Sequence, residues 1–428
     1  MNLRQRLDRL KGHGAGTPAR EREPDGRVSV AERVQRLRPR REAHRPVQAD
    51  ADQALADRLG AELLEPGVLG CSQYLPLENT HGRFPLSTLL GEQVHLPEAR
   101  GWEPHGLVFL DTETTGLAGG TGTAVFMLGL ARLEGHQLHV RQFMLTRFAG
   151  EAGMLRQAAD FLAGAHTVVT YNGKRFDLPL LLTRVRLAGL DDPFSRLGHL
   201  DLLYPVRRLF RQRWPDCRLI TAEQRLLGFR RLHDLPGAEA PLAWLDYLRD
   251  GEARRLPGVL THNRWDLVSL AALYPALDRA HGTPDTFGAD PVAVAKGHLK
   301  AGRQGRALEV LHQGRAALDE KGLLLMADLL RRDGRNAEAL HLWDALSARG
   351  CVTALEALAK YHEHVRRDLR AALECARGLP AGEAHQRRRE RLMNKLTLRA
   401  GQRSEDPYCE RHPGSATEAP PMGEKGWG

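Results

Sequence analysis

The run from Leu107 to Gly129, LVFLDTETTGLAGGTGTAVFMLG, places two acidic residues at the end of an apolar segment. The β-prone residues Leu107–Leu110 predict a buried strand. Asp111 and Glu113 stand two positions apart, so both carboxylates should lie on one face of that strand. Two like charges at the end of a buried strand are costly unless a cation neutralises them. Because clustered carboxylate oxygens are typical ligands of divalent metals, this stretch predicts part of a metal site.

Length and composition favour a multidomain cytoplasmic protein. The chain has 428 residues, enough for about two or three domains. No apolar run approaches the roughly 20 residues needed to span a bilayer, so no membrane association is expected. The N-terminal sequence lacks the apolar core of a signal peptide. The five cysteines are scattered without a CxxC pair, which indicates reduced packing residues rather than a disulfide frame or a zinc site.

Basic residues outnumber acidic ones, and the formal net charge is +9. A basic balance favours polyanion binding but does not establish it. Residues 1–55 are dense in Arg and poor in large apolar residues, which predicts a disordered basic arm. The arm is either a phosphate-binding tether or a solvated tail. Residues 401–428 are rich in Pro, Gly and Ser, which predicts a disordered tail.

The order of predicted strands and helices gives an α/β fold class. Residues 56–105 are expected to form a small lead-in segment of β elements and one helix. Residues 106–280 suggest a mixed β-sheet flanked by helices. The later strands of this region are predicted at Val125–Leu133, Gln137–Leu145 and Thr167–Tyr171, and the helices at Glu151–Ala163, Leu178–Leu190 and around Thr261–Leu273.

Residues 290–400 have an all-helical pattern rich in Ala, Leu and Arg. The pairs Ala307-Leu308, Ala339-Leu340 and Ala372-Leu373 recur at spacings of 32 and 33 residues. These spacings are close to the 34 or so residues of a tetratricopeptide repeat. The region is therefore predicted to be an all-α helical-repeat domain. It is either a surface that binds a protein partner or a helical cap on the preceding domain.

Two further acids stand where a metal site needs additional ligands. Asp177 follows the predicted strand TVVTY and the turn Asn172–Phe176, so it should lie at the start of a helix. Asp266 stands four residues after His262, which places both on one helical face. Four converging carboxylates can hold two divalent metals about 4 Å apart for phosphoryl transfer. A histidine one turn from a ligand is suited to act as a general base or to orient water.

The order of these segments resembles a known group of nucleases. DTETTG, YNGKRFD and HNRWD resemble the three exonuclease motifs of the DEDD superfamily, which has the ribonuclease-H-like fold. The resemblance to the bacterial YprB-type ribonuclease-H-like domain family is closer and covers about residues 65–280. A helical repeat after this domain is common in that family. The segments that carry it are LDTETTGLAGGTGT, VTYNGKRFDLPLL, HLDLLYPVRRL, CRLITAEQRLLG, DLPGAEAP and HNRWDLVSLAAL.

The resemblance implies a metal-dependent 3′–5′ exonuclease site that acts on a single-stranded end of DNA or RNA with Mg²⁺ or Mn²⁺. It implies Asp111, Glu113, Asp177 and Asp266 as ligands of two metal ions and His262 as the base. One departure concerns the base. In the histidine subclass of these enzymes the base lies five residues before the last Asp, whereas a Tyr lies four before it in the tyrosine subclass. His262 has the tyrosine spacing, so it is expected either to act as the base or to fill the water-orienting place of the tyrosine.

Neighbouring residues are candidates for substrate binding. Thr114 and the glycines that follow it would let a nucleic-acid end approach the backbone, or they form a tight strand connection. Asn172 either contacts substrate or shapes a turn, and Lys174 and Arg175 either bind phosphate or are solvated. Asp201 is a candidate fifth acid near the metals. We therefore expect substrate contacts from Thr114, Asn172 and Lys174.

Three functions remain open from sequence alone. The first is a two-metal exonuclease. The second is a nucleic-acid-binding or scaffold protein that uses a nuclease-like fold for recognition and its repeats to recruit a partner. The third is an endonuclease, which differs from the first only in substrate topology. Four retained acids argue against the binding-only function, because recognition does not require them.

Overall fold

The computed structural model describes residues 49–92, 94–99, 101–116 and 122–404. The predicted arm lies outside these residues as far as position 48, and the predicted tail lies outside them from position 405. The remaining residues of both segments are helical. Helix α1 (Ala49–Leu59) begins within the predicted arm, and the last helix extends to Ser404. The chain divides after Gly282 into two compact units.

A seven-stranded mixed sheet forms the centre of the first unit, as predicted for the fold class. Its strand order is β1-β2-β7-β6-β5-β8-β9. Strands β8 and β9 run parallel to β5, whereas β6, β7, β2 and β1 are joined to it through antiparallel pairs. The strands are β1 (Glu62–Glu65), β2 (Val68–Pro76), β5 (Leu107–Thr114), β6 (Val125–Glu134), β7 (Gln137–Leu145), β8 (Thr167–Thr170) and β9 (Gly198–Asp201). A separate two-stranded ribbon joins β3 (Thr80–His81) to β4 (Phe84–Pro85).

Residues 56–105, expected as a lead-in segment, supply part of this sheet. Strand β2 pairs with β7 from Val68 opposite Leu145 to Pro76 opposite Gln137. Strand β1 then pairs with β2. The residues of β2 alternate poorly between apolar and polar, because Ser72 and Gln73 interrupt the pattern near its exposed end. This weak alternation concealed its membership of the main sheet.

Helices pack on both sides of the strands that lead to the candidate site. Helix α3 begins at Asp177, directly after the turn that follows β8. Helix α7 lies against β5 and β6 and is 27 residues long. The helices of this unit after α1 are α2 (Glu151–Phe161), α3 (Asp177–Leu187), α4 (Leu203–Phe210), α5 (Leu219–Ala222), α6 (Ala240–Asp250) and α7 (Leu256–Gly282).

Gly129 of β6 allows α7 to approach the sheet closely. A Cβ at this position would overlap Asn263 Oδ1 and would lie 2.8 Å from Leu267 Cδ1. Gly129 is also the register partner of Asp111 on β5. The missing side chain therefore brings a polar residue of α7 next to the first acid of the candidate site.

The described part of the second unit is all-helical, as predicted. The three Ala-Leu pairs lie in α9, α11 and α13, and Ala307, Ala339 and Ala372 are fully buried. The repeating pairs thus mark the inner face of every second helix. The helices are α8 (Pro291–Lys300), α9 (Gln304–Gln313), α10 (Glu320–Arg332), α11 (Asn336–Ala348), α12 (Val352–Tyr361), α13 (Leu369–Arg377) and α14 (Glu383–Ser404).

Two further expectations concern cysteines and membranes. Cys71, Cys217, Cys351 and Cys375 are free, as predicted, and Cys409 lies outside the described residues. None of the described helices combines the length and apolar character required to cross a bilayer.

Candidate active site

The four predicted acids influence one another electrostatically, and they come from β5, α3 and α7. Burial raises the pKa of Asp111 well above its ordinary value, and the negative charges of Asp266, Asp177 and Glu113 raise it further. Burial also raises the pKa of Glu113, with added contributions from Asp266 and Asp177. Buried like charges oppose one another's ionisation, so these shifts indicate a concentrated negative potential.

Asp177 joins this cluster from the first turn of α3. Burial raises its pKa to about 6, and the charges of Asp201 and Asp266 add to the rise. Thr112 Oγ1 donates a hydrogen bond to Asp177 Oδ1 at 2.5 Å, which opposes the rise. The hydroxyl of β5 thereby fixes the orientation of the carboxylate from α3.

Asn263 fixes Asp111 in the same way from α7. Its Nδ2 donates to Asp111 Oδ2 at 2.8 Å. Its Oδ1 accepts a hydrogen bond from Gln142 Nε2 at 2.8 Å, so the amide orientation is set by two partners. Asn263 is fully buried, and its contact requires the missing side chain of Gly129.

Glu113, His262 and Asp266 form a group that can hold a metal ion. One possible ligand atom from each lies within 4.8 Å of the other two. His262 Nε2 is 3.5 Å from Asp266 Oδ2, as expected for positions four residues apart on a helix. The sequence prediction that His262 and Asp266 share a face is therefore confirmed.

Asp234 determines which nitrogen of His262 faces the acids. His262 Nδ1 lies 2.8 Å from Asp234 Oδ1. A carboxylate only accepts hydrogen bonds, so Nδ1 carries the proton and donates it. Arg231 Nη1 is 3.4 Å from the same nitrogen, which is too long to compete for it. In neutral His262 the lone pair of Nε2 consequently points to the side of Asp266.

Arg231 is a buried cation at the border of the cluster, with a side chain that is 4% exposed. It binds Glu223 through Nε and Nη2 at 2.8 and 2.5 Å. Its Nη2 also donates to Asp266 Oδ1, and its Nη1 contacts Asp234 Oδ2 at 3.2 Å. Burial alone would lower the pKa of Arg231, but the bond to Glu223 and the charge of Asp266 raise it above its usual value.

Hydrogen bonds continue behind Glu223 into the interior. Ser269 Oγ donates to Glu223 Oε1 at 2.5 Å. His81 Nε2 lies 2.7 Å from Ser269 Oγ. Burial lowers the pKa of His81 to about 4, and the charge of Arg231 lowers it further, so His81 is neutral at pH 7. These contacts hold Glu223 in place, and Glu223 in turn holds Arg231.

Asp201, the candidate fifth acid, binds backbone groups of the turn after β8. It accepts hydrogen bonds from Asn172 N at 2.7 Å, Lys174 N at 3.0 Å and Leu203 N at 3.1 Å. Asn172 adopts a left-handed conformation with φ 67°, which suits Asn in a tight turn. The structure therefore places Asp201 and Asn172 in the shaping of this turn.

The other predicted substrate residues are close in sequence to the acids of the cluster. Lys174 and Arg175 are exposed. Thr114 ends β5, and its Oγ1 donates to Gly116 O at 3.1 Å. Residues 117–121, the glycine-rich continuation of this connection, lie outside the described residues.

The chemistry of the donor set fits divalent metal ions. Within the part of the chain that the structure describes, no Lys or Arg forms an ion pair with Asp111, Glu113 or Asp177. Arg231 reaches Asp266 alone among the four acids. Three carboxylates, of which Glu113 is buried and Asp111 and Asp177 are partly buried, thus lack an ion-pair partner among these residues. A hard cation with oxygen ligands would supply one.

Sequence reasoning assigned no role to Glu223, Arg231, Asp234 or Asn263. Three of them lie in quoted family segments: Glu223 in CRLITAEQRLLG, Asp234 in DLPGAEAP and Asn263 in HNRWD. Those segments were the available signal. Arg231 lies between two of them in a chain with 62 Lys and Arg residues, so nothing local distinguished it.

Comparisons with known proteins agree with this architecture. The family model described as the RNase_H superfamily matches residues 108–278, which include all four acids and His262. A curated relative, "Uncharacterized protein YprB" from Bacillus subtilis (strain 168), is 34% identical over 328 residues. The matched region covers 70% of this chain and 77% of the relative. The superfamily match points to a nuclease-type hydrolase. The chain belongs to the YprB-type family of the ribonuclease-H-like superfamily.

Proposed function

We propose that the protein is a metal-dependent 3′–5′ exonuclease that hydrolyses phosphodiester bonds of DNA or RNA. The observation that carries the proposal is the convergence of four acids, because burial and the neighbouring negative charges raise the pKa values of Asp111, Glu113 and Asp177. Among the described residues these three acids have no ion pair with Lys or Arg. Asp111, Glu113, Asp177 and Asp266 would hold two Mg²⁺ or Mn²⁺ ions. Bound there, these ions would supply charge stabilisation at the phosphoryl group and lower the pKa of water.

His262 is proposed to orient the attacking water and take its proton at Nε2. The hydrogen bond from Nδ1 to Asp234 supports this role, because it leaves Nε2 free to accept. The oxygen of water would form a bond to phosphorus as the bond to the 3′ oxygen of the preceding nucleotide breaks. His262 would then return the proton to bulk solvent or to the leaving oxygen.

Substrate contacts are proposed at the edge of the same cluster. Lys174 is exposed and would bind a phosphate. Asn172 would hold the turn after β8 in shape, and its side-chain amide would contact the nucleic acid. Thr114 lies one residue beyond Glu113, where the end of a nucleic acid strand would enter. The helical repeats of the second unit, which we propose to be of tetratricopeptide type, would bind a protein partner.

A turnover assay tests the nuclease proposal. We expect the full chain to shorten end-labelled single-stranded DNA or RNA with Mg²⁺ or Mn²⁺ and to be inactive in excess chelator. Asp111→Ala and Asp266→Ala should each lower the rate about 1000-fold or more, and His262→Gln about 100-fold or more, with unchanged circular dichroism. The exposed Asp250→Ala is the matched control. Wild-type rates in both metal-site variants would contradict the proposal.

The same assay separates the alternatives. Salt-sensitive binding without turnover under any metal condition would favour a nucleic-acid-binding or scaffold role. Cleavage of circular single strands, which have no ends, would instead identify an endonuclease.

A further inference from the structure

Aromatic and basic side chains are exposed in the turn that precedes Asp177 and on one face of α4. We call this surface the strand path and define it by Lys174, Arg175, Phe176, Tyr204, Arg207 and Arg211. All six side chains are exposed. The path uses the turn that carries Lys174 but adds four residues to which sequence reasoning assigned no function, namely Phe176, Tyr204, Arg207 and Arg211.

Asp201 holds the two parts of the strand path together. Its carboxylate binds Lys174 N in the turn and Leu203 N at the start of α4. The ammonium group of Lys174 consequently lies 5.6 Å from the centre of the Tyr204 ring, within the range of a cation–π contact. Asp201 is 3% exposed, so this clamp is internal and leaves both side chains at the surface.

Two large aromatic side chains are unusually exposed on this path. Phe176 is 49% exposed and Tyr204 is 44% exposed. Phe176 immediately precedes Asp177, so its Cα lies only about 3.8 Å from that of a proposed metal ligand. Exposing large apolar rings to water is unfavourable, so such rings often mark a binding surface. Their flat faces can stack with unpaired bases.

Helix α4 continues the path with positive charge. Tyr204, Arg207 and Arg211 are spaced at i, i+3 and i+7, so they share the outer face of the helix. The opposite face is buried through Val206, Leu209 and Phe210. Across the described residues, no carboxylate forms an ion pair with Lys174, Arg175, Arg207 or Arg211, in contrast to Arg208, which pairs with Glu98.

Exposed aromatic faces beside cations that have no carboxylate partner among the described residues suit a single strand better than a duplex. A single strand exposes bases for stacking while its phosphates meet the cations, whereas the bases of a duplex are already stacked on each other. We propose that the strand path binds single-stranded nucleic acid by base stacking on Phe176 and Tyr204 and by phosphate contacts with the four cations. The inference rests on the proposed nuclease function and identifies the surface that would hold its single-stranded substrate.

Equilibrium binding in metal-free buffer tests the strand path without turnover. Fluorescence anisotropy of the full chain would be measured with a labelled 20-nucleotide single strand, its blunt duplex and an abasic strand of equal charge. Phe176→Ala and Tyr204→Ala should each weaken single-strand binding about fivefold or more. Both should leave duplex binding within twofold of wild type. The abasic strand should bind wild type more weakly than the base-bearing strand binds either single variant, because it lacks both stacking contacts.

Tyr74→Ala is the matched control. Tyr74 is 49% exposed but lies on β2, at the opposite side of the sheet from β8 and β9. This variant should bind every probe as wild type does. The double variant Arg207→Ala/Arg211→Ala should reduce the slope of log affinity against log salt by about 1.4, or about 0.7 per lost phosphate contact.

The outcomes separate this inference from the proposed nuclease. Unchanged single-strand affinity in Phe176→Ala and Tyr204→Ala overturns the strand path, even if Asp111→Ala shows the nuclease site to be correct. If wild type binds the abasic strand as tightly as the base-bearing strand, base stacking is overturned and the surface recognises only negative charge. Weakened binding in both aromatic variants supports the path, even if no metal produces turnover and the nuclease proposal fails.

Discussion

Arg231 contacts Glu223, Asp234 and Asp266. Because Arg231 is buried, the loss of any of these contacts would be more costly than at the surface. A guanidinium in such a position offsets part of the negative charge of the cluster and orients the Asp234 that holds His262. Removal of one partner from a buried ion pair leaves the other uncompensated. Arg231 therefore offsets the charge of Asp266, whereas Asp111 and Asp177 have no ion pair with Lys or Arg among the described residues.

The site residues differ in how far the sequence predicted them. Asp111, Glu113, Asp177, His262 and Asp266 follow recognisable strands or a helical spacing, and the structure brings them together. Arg231 and Glu223 act through contacts across an irregular region between α5 and α6, where no periodic pattern links position to neighbour. Asp201 was predicted as a possible fifth acid near the metals, and only its hydrogen bonds show that it binds the turn.

Asp177→Asn should stabilise the metal-free protein. The pKa of Asp177 rises from 3.8 to about 6 in the folded state. The folded state therefore binds this proton more tightly than the unfolded state, and stability falls as pH rises through about 6. We expect the variant to gain roughly 1–3 kcal/mol of unfolding free energy at pH 8. The gain should vanish below about pH 4, where both states of Asp177 are protonated.

Urea denaturation of wild type and variant at pH 4, 6 and 8 in chelator would measure this difference. Asp192→Asn is the opposite control. Burial acts to raise the pKa of Asp192, but hydrogen bonds from Ser195 and Phe194 N lower it overall. Its replacement should not stabilise the protein at any pH. A pH-independent effect of Asp177→Asn would show that the cluster does not repel this carboxylate.

Strand β6 and helix α7 pack closely enough for Asn263 to reach Asp111. Gly129 removes a side chain where Asn263 must reach Asp111. Sequence predicted both elements, since β-prone residues and helical spacing are local signals. The bounds of β6 were predicted within one residue, whereas α7 extends well beyond the predicted Thr261–Leu273 at both ends. Sequence could not predict their close approach, because the glycine and the asparagine are 134 positions apart and the contact depends on tertiary packing.

Gly129→Ala should displace α7 or rotate Asn263 away from Asp111. The added methyl group would overlap Asn263 Oδ1, and overpacking of a core typically costs about 1–3 kcal/mol. We expect this loss of unfolding free energy together with a proposed nuclease rate lowered about tenfold or more. Chemical denaturation and the end-labelled strand assay measure the two effects.

Gly305→Ala provides the control for this change. Gly305 lies in α9, and nothing is within 4 Å of a Cβ built there. That variant should be as stable as wild type or slightly more stable, since alanine favours a helix by about 1 kcal/mol over glycine. If Gly129→Ala were also as stable as wild type, the close packing of α7 on β6 would not require a glycine at position 129.

The whole molecule distributes its apolar cores between two units. One core contains residues of the sheet and its helices from Leu55 to Val259, and another contains Ala295 to Tyr361 of the helical repeats. Every acid of the candidate cluster belongs to the first unit. Sequence anticipated this change from α/β to all-α, because the composition and periodicity change near residue 290. It did not anticipate that residues before 106 complete the sheet, since strand pairing over about 70 positions leaves no local trace.

The division predicts that a fragment of residues 49–282 folds alone and keeps the metal response of the full chain. A ligand that binds only the folded state stabilises it by about 2.7 kcal/mol at a concentration 100 times Kd. For a domain of this size that corresponds to a rise in Tm of roughly 5–10 °C. Differential scanning fluorimetry with increasing Mn²⁺ should show such a rise for the full chain and for the fragment, and a much smaller rise for the Asp111→Asn form of each. A response confined to the full chain would mean that residues outside 49–282 contribute to the metal site. No response in either protein would count against a metal site in the cluster.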